Sequence, residues 1–93
     1  MTVEMIRQKV ATVAKKYPVK RITLFGSRAE GTNHEDSDVD LIIEFLEPIS
    51  LLKLSEIRIQ LEEILGIHVD LIHGPVLKND LLEVKREVEL YAA

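Results

Sequence analysis

The sequence predicts an α/β (α+β) domain, a small mixed β-sheet covered by helices. Three observations carry that class. Apolar periodicity changes along the chain in the order helix, strand, strand, helix, strand, helix. The connection between the first two strand runs is only about a dozen residues, which suits antiparallel or irregular pairing better than a crossover, so the sheet should be mixed. The chain has 93 residues, 46% of them hydrophobic, enough for one domain spanning 1–93 with a single modest core.

Taken in order, Thr2 to about Lys16 is the first helix, with Val3, Ile6, Val10, Val13 and Ala14 on one stripe. Pro18 prevents its continuation. Val19 to Phe25 reads as a strand, Ile22 and Leu24 facing one way, Thr23 and Phe25 the other, and Gly26 ends it. Residues 27–32 begin a short helix, and Gly31 to Ser37 is a polar loop. Val39 to Phe45 is apolar at nearly every position, the pattern of a central strand in a covered sheet.

Glu47-Pro48 is a turn, and Ser50 caps a helix running to Leu65. Its stripe is Leu54, Ile57, Leu61, Ile64 and Leu65, and Gly66 supplies a left-handed stop. Ile67 to Ile72 is a third strand, closed by Gly74-Pro75. The spacing of Asp80 and Glu83 is that of a capping box. A last helix should follow, carrying Leu77, Leu81, Val84, Val88 and Tyr91 on one side and a solvated charged run from Lys85 to Glu89.

Composition excludes several classes of chemistry. With no cysteine there is no disulfide, zinc-thiolate site or cysteine nucleophile. Met1 to Lys16 lacks a signal-peptide core, and no apolar run is long enough to span a bilayer, so the expected location is the cytoplasm. Net charge is −4, with scattered Lys and Arg, two Phe, two Tyr and no Trp, which gives no basic, aromatic face for nucleic acid. No Walker lysine follows the glycines, and no Gly-x-Gly-x-x-Gly is present, which sets aside P-loop and dinucleotide-binding folds.

What chemistry there is concentrates in Gly26 to Ile43. A Gly26-Ser27 turn follows an apolar run, and Asp38 and Asp40 open the next one. Alternate strand residues share a face, so these two carboxylates stand side by side. Hard divalent cations such as magnesium take such oxygen ligands and also hold phosphates. A glycine turn offers backbone N–H groups to a polyphosphate. Asp70 lies in an otherwise apolar strand, Val69 to Ile72, where a bare charge is costly unless it pairs with a lysine or binds metal. If the third strand neighbours the second, Asp70 joins Asp38 and Asp40, and three carboxylates can hold two divalent ions for in-line displacement at phosphorus.

Alone, each piece is a common structural device: a turn, a cap, a paired strand-end acid. Glu44 shares the face of Asp38 and Asp40 and could substitute or assist, but it lies further along the strand. Arg28 is open between a surface arginine at a helix start and a phosphate contact. His34 is a solvated loop residue, and His68 and His73 lack the spacing of metal ligands.

Gly26-Ser27, ten residues, then Asp38-Val39-Asp40 resembles the signature of the DNA polymerase beta-like nucleotidyltransferase superfamily. Within it the chain looks like the minimal nucleotidyltransferases of the MntA type. The likeness runs through Leu24-Phe25-Gly26-Ser27-Arg28-Ala29, Ser37-Asp38-Val39-Asp40-Leu41, Val69-Asp70-Leu71 and Arg86-Glu87-Val88-Glu89-Leu90-Tyr91. The resemblance implies a polymerase beta palm-like fold. It also implies a magnesium-dependent enzyme that moves AMP from ATP to a tyrosine hydroxyl of a HEPN-domain toxin, as antitoxin of a type VII pair.

Carried onto this chain, Gly26 and Ser27 hold the β- and γ-phosphates, with Arg28 as a further phosphate contact. Asp38 and Asp40 ligate both magnesium ions, and Asp70 ligates the catalytic one and activates or orients the attacking hydroxyl. Glu30 departs from the family, where arginine is common at that position. The alternatives are a small-molecule nucleotidyltransferase and a non-catalytic module that docks on a toxin. A domain this small has little with which to enclose a base and an acceptor, so the toxin or a second copy of the chain should complete the site.

Overall fold

The computed structural model describes residues 2–25, 39–74 and 87–93. Helix α1 spans Val3–Ala14. Its start is set by Thr2, whose Oγ1 accepts the Met5 N–H at 3.2 Å and so satisfies one of the free donors of the first turn. Ile6, Val10, Val13 and Ala14 are its buried stripe. Helix α2 spans Leu51–Leu65 between two designated ends. Ser50 Oγ accepts the Lys53 N–H at 3.1 Å. Gly66 adopts φ 74° and returns its N–H to the Glu62 carbonyl at 2.8 Å. Ile57, Leu61 and Leu65 are fully buried along α2, with Leu54 and Ile64 packed at the margin.

Strands β1 (Val19–Phe25), β2 (Val39–Phe45), β3 (Val69–His73) and β4 (Glu87–Ala92) form one sheet in the order β3-β2-β1-β4. β1 pairs antiparallel with β2, and β2 pairs parallel with β3, so the sheet is mixed as the short connection implies. β2 is interior, in agreement with its unbroken apolar run.

Ile22 and Leu24 of β1, Val39, Leu41 and Ile43 of β2 and Val69 of β3 point to one face. There they meet Ile6 and Val10 of α1 and Ile57 and Leu61 of α2 in a single core. Each such leucine or isoleucine contributes about 1.5–3 kcal/mol by leaving water. The intervening residues, among them Thr23, Phe25, Asp40, Glu44 and Asp70, therefore occupy the face opposite the helices.

The end of the chain differs from expectation. Val88 and Tyr91, predicted on a helix, lie in β4, which pairs antiparallel with β1. Val84, Val88 and Tyr91 do have helical spacing, but Val88 and Leu90 also alternate with Glu87 and Glu89, and that alternation suits a strand equally well. Tertiary pairing decides between them: β4 supplies partners for the backbone groups that β1 would otherwise leave open at a sheet edge. The register shifts between Ile22 and Thr23, which face Tyr91 and Glu89, so Leu90 is the extra residue on β4 and is buried. The remainder of the predicted helix, including Asp80 and Glu83, lies outside the described residues, as does the short helix and loop expected at 27–37. β3 begins at Val69 rather than Ile67, because Gly66 and Ile67 make the turn out of α2.

Candidate functional site

Asp40 is the second residue of β2 and Asp70 the second residue of β3, and the parallel register makes them direct partners. Neighbouring strands lie about 4.8 Å apart, so the two carboxylates rise side by side from the face opposite the helices. On its other side Asp40 is the register partner of Phe25, the last residue of β1. Gly26 follows Phe25 directly in the chain, and Asp38 precedes Val39, the first residue of β2. Gly26, Ser27, Arg28 and Asp38 themselves lie outside the described residues.

The burial expected for Asp70 is not found. Its side chain is 59% exposed, while Asp40 is half-buried. The cause is topological: β3 is an edge strand, and Asp70 points away from the helices. Its charge therefore needs no partner to offset burial. Glu44, on the same face, is committed elsewhere. It lies 3.5 Å from Arg21, its cross-strand partner, and Arg21 reaches Glu89 of β4 at 3.6 Å.

One contact beside Asp70 is not foreseen from spacing. His68 Nε2 is 3.4 Å from Asp70 Oδ1, and His68 Nδ1 is 2.9 Å from Glu62 Oε2. The same Glu62 oxygen accepts the Val69 N–H at 3.0 Å and lies 3.1 Å from Arg58 Nη1. The donated Val69 N–H, followed by the nearby Arg58 and His68 charges, holds the Glu62 carboxyl below its usual value of 4.5 against the opposing effect of desolvation. The sequence signal available was proximity alone, a histidine two residues before an aspartate.

The donor set suits a hard divalent cation. Asp40 and Asp70 present carboxylate oxygens at one level of the sheet, which is the ligand chemistry magnesium requires. The third carboxylate of the predicted set, Asp38, lies outside the described residues, and among those residues no three ligating side chains converge. No helix among the described residues is long and apolar enough to cross a membrane.

The family model for the nucleotidyltransferase domain matches residues 6–92. A Methanocaldococcus jannaschii protein, provisionally named a protein adenylyltransferase, is 44% identical over 85 residues, covering 86% of this chain and 87% of its own length. The protein adenylyltransferase MntA of Thermococcus cleftensis is 40% identical over 94 residues, covering 95% of this chain and 94% of its own. In fold, the chain superposes on a crystal structure of a toxin-antitoxin with AMP-PNP at a TM-score of 0.77 and 22% identity, over 94% of this chain and 73% of that one.

Proposed function

Because this chain belongs to the nucleotidyltransferase domain family, and within it to the minimal nucleotidyltransferases of the MntA type, we propose that it is a protein adenylyltransferase that acts as an antitoxin. The donor is ATP and the acceptor a tyrosine hydroxyl of a HEPN toxin, in a type VII pair. The observation that carries this reading is the Asp40–Asp70 register pair on the sheet face opposite α1 and α2, with Phe25 of β1 beside Asp40. The adenylyltransferase relatives and the AMP-PNP-bound toxin-antitoxin of like fold support the donor and the type of partner.

In this reaction the acceptor oxygen attacks the α-phosphorus of ATP. The bond from that phosphorus to the bridging oxygen breaks, pyrophosphate leaves, and the hydroxyl proton passes to a base. Gly26 and Ser27 hold the β- and γ-phosphates through backbone N–H groups, and Arg28 adds a cation to the departing charge. Asp38, Asp40 and Asp70 would hold two magnesium ions, which supply neutralisation of the phosphate charge. Asp70, on the exposed edge strand, is the carboxylate an acceptor from another chain can approach, and it orients or deprotonates the attacking hydroxyl.

Mass spectrometry of the partner toxin after incubation with this protein, ATP and magnesium tests the assignment. A tyrosine carrying AMP is the expected product. An unmodified toxin, still inhibited by docking alone, refutes transfer; modification of a small molecule in place of the toxin refutes the acceptor.

A further inference from the structure

We infer that His68 is a positioning residue for Asp70, and that Glu62 holds His68 in place for that task. The inference rests on the reading of Asp70 as a metal ligand and extends it to side chains that have no other part in the reaction.

Asp70 stands on an edge strand with its side chain largely in water, so packing does not fix its rotamer. A carboxylate that must share a cation with Asp40 needs a defined orientation, and partners of metal ligands commonly provide it. The imidazole of His68 is the described group placed to do so. One ring nitrogen faces Asp70 Oδ1 at 3.4 Å, and the other faces Glu62 Oε2 at 2.9 Å.

Glu62 is a firm anchor. It sits in the last turn of α2, and its Oε2 accepts the N–H of Val69, the first residue of β3, at 3.0 Å. Arg58, one turn earlier, lies 3.1 Å from the same oxygen. A single carboxylate thus ties the end of the helix, the start of the strand and the imidazole together. The chain from Glu62 through His68 to Asp70 runs from the rigid helix to the exposed ligand. A purely structural alternative would have Glu62 and His68 do no more than close the turn between α2 and β3.

The test uses the whole protein and three variants: His68→Ala, Glu62→Gln and Asp70→Asn. In metal-free protein, the His68 Nε2 resonance should move in Asp70→Asn and the Nδ1 resonance in Glu62→Gln. Titration with Mn(II) alone, read by water-proton relaxation, should give a dissociation constant raised roughly 10-fold in His68→Ala and in Glu62→Gln. Adenylyl transfer should lose a similar factor in kcat with KM for the acceptor unchanged. His68→Gln, which keeps a side-chain N–H donor, should recover most of both.

Wild-type or tighter Mn(II) binding in His68→Ala and Glu62→Gln, with weaker binding in Asp70→Asn, overturns the inference and leaves Asp70 as a ligand. Wild-type binding in Asp70→Asn overturns the reading of Asp70 itself. If Glu62→Gln also loosens the turn, the Nε2 resonance in Asp70→Asn decides, and an unmoved signal there overturns the positioning role.

Discussion

Replacing Gly74 by alanine should destabilise the protein for want of space. The Gly74 N–H donates to the Ile43 carbonyl at 2.7 Å, which seats the end of β3 against β2. A Cβ added there would lie 2.8 Å from Ile42 Cγ2 and 3.1 Å from Glu44 Cγ. Neither neighbour yields easily. Ile42 is only 6% exposed and is stiff at χ1 because it branches at Cβ, and Glu44 is held beside Arg21. Overpacking of this kind costs about 1–3 kcal/mol. With an unfolding entropy of roughly 2 cal/mol/K per residue, a chain of this length loses about 5 °C of Tm per kcal/mol. The expected shift is therefore about 5–15 °C downward, read by thermal and urea unfolding.

Gly66 offers the control, because its φ of 74° is left-handed and its surroundings are open. Alanine there costs about 1 kcal/mol through backbone strain alone, and asparagine should cost less. At position 74 asparagine should rescue nothing, and Ile42→Ala should be less harmful combined with Gly74→Ala than the two separate losses imply. A Gly74→Ala protein melting within about 1 °C of wild type, against the loss expected from overpacking, would refute the close approach.

Two further outcomes concern the core and the turn out of α2. Leu61 is fully buried where α2 meets the sheet, so Leu61→Ala should cost about 2–5 kcal/mol in urea unfolding. Because the folded state depresses the Glu62 carboxyl below 4.5, its contribution is present above that pH and is lost as the pH falls through the depressed value. The acid limb of stability against pH should accordingly be flatter in Glu62→Gln than in wild type, and equal slopes would contradict the clasp on Val69.

The elements most legible in the sequence are those whose ends carry their own chemistry. Thr2, Ser50 and Gly66 mark helix boundaries by local hydrogen bonding and a left-handed backbone, neither of which waits on tertiary contacts. β2 was legible as interior because apolar residues on both faces have no other stable placement. The meeting of Asp40 with Asp70 was legible only on the condition that β3 neighbours β2, and the parallel register supplies that condition.

β4 was not legible, because Val88, Leu90 and Tyr91 fit two periodicities and the choice is made by β1, more than sixty residues earlier in the chain. Nor could the exposure of Asp70 be read, since strand order, not strand composition, places it at an edge. His68 escaped because its contacts come from α2 and β3 together.

The most direct test of transfer by these aspartates uses ATP labelled at its α-phosphate, incubated with this protein, magnesium and the partner toxin. The wild-type chain should pass label to a toxin tyrosine and release one pyrophosphate for each AMP moved. Asp38→Asn combined with Asp40→Asn should abolish the label while the circular dichroism spectrum stays unchanged. A double variant that is folded and labels the toxin at the wild-type rate would contradict the assignment of the site.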